Sequence, residues 1–190
     1  KGCYQEILDT LDNLNRNAQG EPDLLMSEIL KFMKSNVLKT ALTKHMNMKF
    51  EIDQRIDFKV KESYKTISVL RNLTVNALEA FEGSDGEIRV MATCRHSSLG
   101  PCHRIEVEDN GPGIDEADIE TIFLPGYSTK MNMDTGIVQR GLGLSLVRDY
   151  VENDFGGRIR VKNRKEGGTR FVIEIPPGNF EEETRWIFTS

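Results

Sequence analysis

The sequence predicts an α/β fold, on three observations. Apolar residues recur with a helical period in three long runs, over 24–46, 64–82 and 142–155. Between and after them lie short segments that alternate or cluster apolar residues as strands do, over 47–54, 87–94, 104–108, 158–163 and 169–175. Glycine turns fall where one pattern yields to another, at Gly83-Ser84-Asp85-Gly86, Gly111-Pro112-Gly113, Gly156-Gly157 and Gly167-Gly168.

The bulk numbers narrow the function classes. A chain of 190 residues suffices for one domain with a real core plus appendages. Hydrophobic content of 38% and charged content of 29% describe a globular chain, not a disordered one. With 25 basic against 30 acidic side chains the net charge is −5, which argues against nucleic acid as the main partner. No apolar run approaches the ~20 residues of a membrane span, so no membrane contact is expected of this stretch. The chain opens at Lys1 without a signal-peptide pattern and is read as a fragment. Cys3, Cys94 and Cys102 form no C-x-x-C pair, and a sparse, odd count points to a reducing compartment. Cys94 and Cys102 flank a loop and could face each other across a hairpin, and both are expected reduced. His45, His96 and His103 lack metal-ligand spacing.

Taken in order, Tyr4, Ile7, Leu11, Leu14 and Ala18 give a helix with a narrow apolar seam, ended by Gly20-Glu21-Pro22. Leu24 to Met46 is a second helix, with Asp23 as its expected N-cap. Met48, Phe50 and Ile52 alternate with Lys49, Glu51 and Asp53 in a half-buried strand, and the polar residues 55–63 read as loop. From Tyr64 to Glu82, Ile67, Leu70, Leu73, Ala77 and Phe81 fall on one side of a helix. Asn72, Asn76 and Glu79 fall together on the other. Asparagine costs roughly half a kcal/mol against alanine in mid-helix, so a functional stripe is favoured over a merely solvated face.

Residues 87–94 and 104–108 are expected to pair as a hairpin around a Ser-Gly-Pro loop, 95–103. Asp109-Asn110-Gly111-Pro112-Gly113-Ile114 then sets a carboxylate at a strand end beside two glycines. Such a carboxylate can be held against a ligand, although the same residues also make an ordinary turn. Asp115 is expected to cap a short helix bearing Ile119, Ile122 and Phe123, followed by a long loop over 124–140. Gly141-Leu142-Gly143 opens the third amphipathic run. Glycine admits close approach of a backbone, and a helix N-terminus offers unpaired N–H groups, so the junction suits phosphate; a flexible hinge is the plain alternative. After two more strands, Pro176-Pro177 ends the last one, and an acidic tail runs to Ser190.

Five stretches in this order resemble the boxes of the ATP-binding domain of bacterial sensor histidine kinases, within the GHKL ATPase superfamily. "RNLTVNALEA" (71–80) is similar to the asparagine box and "VEDNGPGID" (107–115) to the first glycine box. "IFLPGYSTK" (122–130) resembles the phenylalanine box and the start of the ATP lid. "RGLGLSLV" (140–147) resembles the second glycine box and "GGTRFVIEIP" (167–176) the last. No Walker A sequence and no strand-borne G-x-G-x-x-G is present. The form Asn76-Ala77-Leu78-Glu79-Ala80 is closer to citrate- and dicarboxylate-type sensor kinases.

The resemblance implies a two-layer α/β sandwich of the Bergerat type: a mixed sheet with helices on one face, preceded by a helical stub. It divides the chain into a stem end (1–20), an ATP-binding catalytic domain (21–178) and a tail (179–190). It implies ATP and Mg²⁺ as ligands. Asn76 would coordinate the metal, with Asn72 close to the phosphates. Asp109 would accept a hydrogen bond from the adenine amino group. Gly111, Gly113 and Ile114 would line the base and ribose. Ser128, Thr129, Lys130 and the backbone of Gly141, Leu142, Gly143 and Leu144 would hold the phosphates, and Thr169 would help close the adenine pocket. Asn72, Asn76 and Lys130 would form the catalytic set. The implied partners are a phosphoacceptor histidine helix and a response regulator, in a homodimeric sensor of which this is a cytoplasmic part, with membrane attachment left open. None of the three histidines has the acceptor's setting. GHKL-type conformational ATPases and serine-directed or anti-sigma relatives are the alternatives; the ATPases carry a glutamate base where Asn72 stands.

Overall fold

The computed structural model describes residues 24–97, 100–127 and 143–185. Strands β2 (Met48–Gln54), β4 (Gly86–Ser97), β5 (Gly100–Asp109), β6 (Arg158–Asn163) and β7 (Thr169–Ile175) form one sheet in the order β2-β4-β5-β7-β6. The β2–β4 pair is parallel and the other three pairs are antiparallel, so the sheet is mixed, as expected. Side chains of directly paired residues share a face, and the registers place apolar rows across the sheet. Val90, Val107 and Phe171 form one row, and Ala92, Ile105, Ile173 and Ile159 the next. These residues join a single buried cluster with Met26, Ile29, Leu30, Met33 and Val37 of helix α1 (Met26–Thr43). Ile67, Leu70, Leu73 and Ala77 of α2 (Ser63–Ala80) and Val147 of α3 (Gly143–Asp149) complete it.

The other face of the sheet carries charge. Arg104 bridges Glu106 at 2.7 Å and Glu174 at 2.9 Å, Arg160 reaches Glu174 at 3.7 Å, and Arg170 pairs with both Glu106 and Glu108. The strands thus alternate apolar and ionic residues, and the helices occupy the apolar side.

Four local expectations are corrected. Residues 55–63 are not all loop: Asp57–Val60 is strand β3, pairing antiparallel with β1 (Leu24–Leu25) and β8 (Glu181–Arg185) in a second, three-stranded sheet. Its charged residues hid it, because Asp57 is buried for a reason of its own. The Asp57 carboxylate accepts hydrogen bonds from Ser27 N at 3.0 Å and Ser27 Oγ at 2.7 Å, and so caps α1 from a distance. The N-cap position is Leu25, not the expected Asp23, which lies outside the described residues. The β4–β5 hairpin runs on through His96↔Pro101 and Ser97↔Gly100, so most of the expected 95–103 loop is ladder.

Cys94 pairs with His103 and Cys102 with Arg95, so the two thiols sit on opposite faces and form no disulfide with each other. The short helix expected after Asp115 is a succession of turns. Asp118 N, Thr121 N and Leu124 N donate to Asp115 O, Asp118 O and Thr121 O at 2.8–2.9 Å, while Asp115 Oδ1 draws Ala117 N away at 3.0 Å. At the other end of α1, His45 (φ 56°) closes the helix. Met46 N donates to Ala41 O and His45 N to Leu42 O, a Schellman closure. Beyond α3 the helical path continues as one π turn, Tyr150–Asp154, closed by Phe155 N to Tyr150 O at 2.9 Å.

Candidate functional site

Asp109 ends β5 with 5% of its surface exposed. Its Oδ1 accepts hydrogen bonds from Gly111 N at 2.9 Å and Thr169 N at 3.1 Å, so the carboxylate is fixed by backbone from both neighbouring segments. Burial pushes its carboxyl above the ordinary value, and those N–H groups and the nearby Arg164 charge oppose the shift. Gly168 makes the approach possible. A Cβ there would lie 2.0 Å from Asp109 O, and its φ is +90°. A Cβ on Gly111 would sit 3.1 Å from Asp109 Oδ1 and 3.7 Å from the Ala80 Cβ, which sets this loop directly against the end of α2. Thr169 is buried beside it.

Along α2, Asn72, Asn76 and Glu79 are half-buried, not solvated. Asn72 Nδ2 donates to Ser68 O at 2.8 Å. Its Oδ1 points at the start of α3, where a Cβ on Gly143 would lie 2.7 Å away. Glycine at 143 therefore lets the helix start press against the Asn72 amide. Leu144, the next residue, packs partly into the core. The structure thus brings Asp109, Gly111 and Thr169 together at one end of α2, and Asn72 and Gly143 together farther back along the same helix. Ser128, Thr129, Lys130, Gly141 and Leu142 lie outside the described residues. The segments on either side of 128–142 are joined by Arg148, whose guanidinium stacks 4.4 Å from the centre of the Phe123 ring.

Three residues escaped the sequence reading. Asn163, at the end of β6, grips the backbone of Ile114 at two points: its Oδ1 accepts from Ile114 N at 2.8 Å and its Nδ2 donates to Ile114 O at 2.7 Å. Arg164 Nη1 donates to Asp109 O at 2.7 Å. Asn110 Oδ1 accepts from Glu87 N at 2.7 Å, and Asn110 N donates to Glu87 O at 3.3 Å. The one sequence signal for the first two was an amide and a cation just ahead of the Lys165-Glu166-Gly167-Gly168 turn.

The model of the histidine kinase-, DNA gyrase B- and HSP90-like ATPase family matches residues 62–179. The chain belongs to that family. The sensor histidine kinase DcuS of Escherichia coli (strain K12) is 33% identical over 180 residues, covering 91% of this chain and 31% of DcuS. The sensor protein CitS of Bacillus subtilis (strain 168) is 31% identical over 182 residues, covering 92% of this chain and 32% of CitS. This chain therefore spans about a third of the length of these relatives. The catalytic domain of histidine kinase ThkA is similar in structure, with a TM-score of 0.63 at 28% identity over 81% of this chain and 94% of that domain. Within the family, the chain is an ATP-binding domain of the histidine kinase type.

Proposed function

We propose that this domain binds Mg-ATP and presents its γ-phosphoryl group to a histidine on a helical domain, in a dimeric two-component sensor kinase whose response regulator then receives the phosphoryl group. The observation that carries the reading is the buried, backbone-pinned Asp109 carboxylate. An ionised carboxylate only accepts hydrogen bonds, which matches the amino group of adenine and opposes the carbonyl of guanine. Asn72 supports transfer to a side chain over hydrolysis, because an amide cannot deprotonate water. Phosphoryl transfer then depends on position and charge neutralisation.

The donor set fits Mg²⁺ held chiefly through phosphates. Among the described residues no three His, Cys, Asp or Glu side chains form a group that could hold a metal ion, and an amide oxygen such as that of Asn76 is a weak ligand beside phosphate oxygens. The cation would neutralise phosphate charge, while Asn72 and Asn76 would orient the phosphate end from α2. The lid segment with Ser128, Thr129 and Lys130, and the glycine junction at Gly141, Leu142 and Gly143, would complete the enclosure. ThkA has been solved in complex with its response regulator TrrA, and a partner of that kind is proposed here by similarity. A cytoplasmic setting is proposed on the same ground; no helix among the described residues is long and apolar enough to cross a membrane.

Two measurements test the reading. ATP and GTP should compete unequally for the domain, by roughly 5- to 150-fold, the factor for a buried mismatch of about 1–3 kcal/mol. Asp109→Asn should narrow that gap, since an amide can turn to donate. Equal binding of both nucleotides by the wild type would remove Asp109 from base recognition. With γ-labelled ATP, acid-labile label should appear on an added helical domain bearing the acceptor histidine, and none on His45, His96 or His103. ATP binding without any transfer to that domain would leave a nucleotide-driven ATPase as the better reading.

A further inference from the structure

We propose that Asn163 and Arg164 are positioning residues of the nucleotide site, holding the 109–114 loop by its backbone so that the Asp109 carboxylate meets the base in one place. The inference rests on the ATP-binding reading above. Asn163 and Ile114 are 49 residues apart, and their two hydrogen bonds reproduce the donor–acceptor pair of a strand ladder using one side chain. Gly113 is fitted to this grip, with φ +87° and a Cβ position 2.9 Å from Asn163 Oδ1, so a larger residue there would strike the amide. At the other end of the loop Arg164 Nη1 holds Asp109 O, in the space that Gly168 leaves open. The two holders are consecutive on one hairpin, itself closed by Arg164 N to Gly168 O at 2.8 Å.

Asn163 is exposed. Hydrogen bonds in contact with water contribute little to folding, and ordering the side chain has an entropic cost. Two good bonds at such a place fix geometry more than they stabilise the fold. Neither Asn163 nor Arg164 hydrogen-bonds the carboxylate oxygens; Asn163 acts on the chain that carries them, and Arg164 holds that chain while also setting its charge near the carboxylate. An amide supplies one donor and one acceptor to a single peptide. An aspartate keeps the acceptor for Ile114 N but turns a second acceptor toward Ile114 O.

The test is made on the whole chain. In the free protein, Asn163→Ala should speed amide hydrogen exchange at Ile114 while leaving the urea midpoint unchanged. Unaltered exchange overturns the grip. ATP affinity should fall roughly tenfold, about 1.4 kcal/mol, in Asn163→Ala and Asn163→Asp alike, and the preference for ATP over GTP should narrow. Arg164→Lys, which keeps a cationic donor for Asp109 O, should retain most of the affinity that Arg164→Met loses. Combined with Asp109→Asn, Asn163→Ala should reduce selectivity no further, because both act through one carboxylate; additive losses would overturn the positioning role. If the wild type prefers ATP and the Asn163 and Arg164 variants match it, the positioning role alone falls. If the wild type binds neither nucleotide, the functional reading falls and takes the positioning role with it.

Discussion

Burial removes water from the Asp109 carboxylate, and its backbone N–H partners oppose the resulting upward shift without cancelling it. The folded pKa therefore lies above the ordinary value of 3.8. For the free protein, the stability this group contributes is complete below 3.8 and is lost as pH rises through the raised folded value. Nucleotide binding runs the other way, because the adenine amino group needs the ionised form. ATP affinity should fall as pH drops through the raised value, and binding near it should release a proton. Calorimetry in buffers of different ionisation heat measures that proton, and Asp109→Asn should abolish it. Proton uptake on binding would contradict the assignment. Asp109, Asn72 and Asn76 stand out in the sequence because each sits in a short run that resembles a family box, and the structure places the first buried at a strand end and the other two half-buried along α2; their roles toward a nucleotide are proposals. Asn163 and Arg164 do not stand out, because their partners are backbone atoms 49 and 55 residues away. A side chain that recognises a peptide group leaves no mark on the partner's identity.

Helices α1 and α2 were legible as elements because a stripe at helical spacing survives changes at the ends. Their ends were not. The N-terminus of α1 takes its acceptor from Asp57 on β3, 30 residues along the chain, and from Glu28 Oε2, which accepts from Leu25 N at 2.9 Å. A cap supplied by another element looks in sequence like a stray acid in a loop, and this is why β3 was missed along with it. Asp57 Oδ1 also accepts from Phe58 N at 3.1 Å and Gln54 Nε2 at 3.1 Å, so one carboxylate ties β2's end, β3 and α1 together. Asp57→Ala should cost about 1–2 kcal/mol, the upper range for a lost cap, because Ser27 N is left without its acceptor. Urea unfolding should show a lower midpoint at unchanged slope, and Asp57→Asn should recover part of the loss. A midpoint equal to wild type would mean that water replaces the carboxylate freely.

At the scale of the whole molecule, the main sheet followed from its alternation, whereas the small sheet did not. Pro176-Pro177 reads as a stop, and the residues after it show no periodicity. The chain instead makes one 3₁₀ turn, Pro177–Asn179, and returns as β8 beside β3. What anchors the return is one ring. Phe180 is fully buried, 5.2 Å from the Phe155 ring, 5.4 Å from Phe58 and 5.8 Å from His103, centre to centre. Its carbonyl accepts from Lys61 N at 3.0 Å. The ring therefore joins the chain beyond the π turn to β3 and to β5, and a single aromatic among Gly, Asn and Glu gives no pattern to read. We propose on this ground that the folded unit reaches at least residue 185 and does not stop at 178. Phe180→Ala should cost about 3–5 kcal/mol, as for other fully buried phenylalanines, and Phe180→Leu less, since it refills part of the space. Thermal and urea unfolding of the two variants measure this. Should Phe180→Ala cost under about 1 kcal/mol, the small sheet would be an accessory to the domain, and the boundary at 178 would stand.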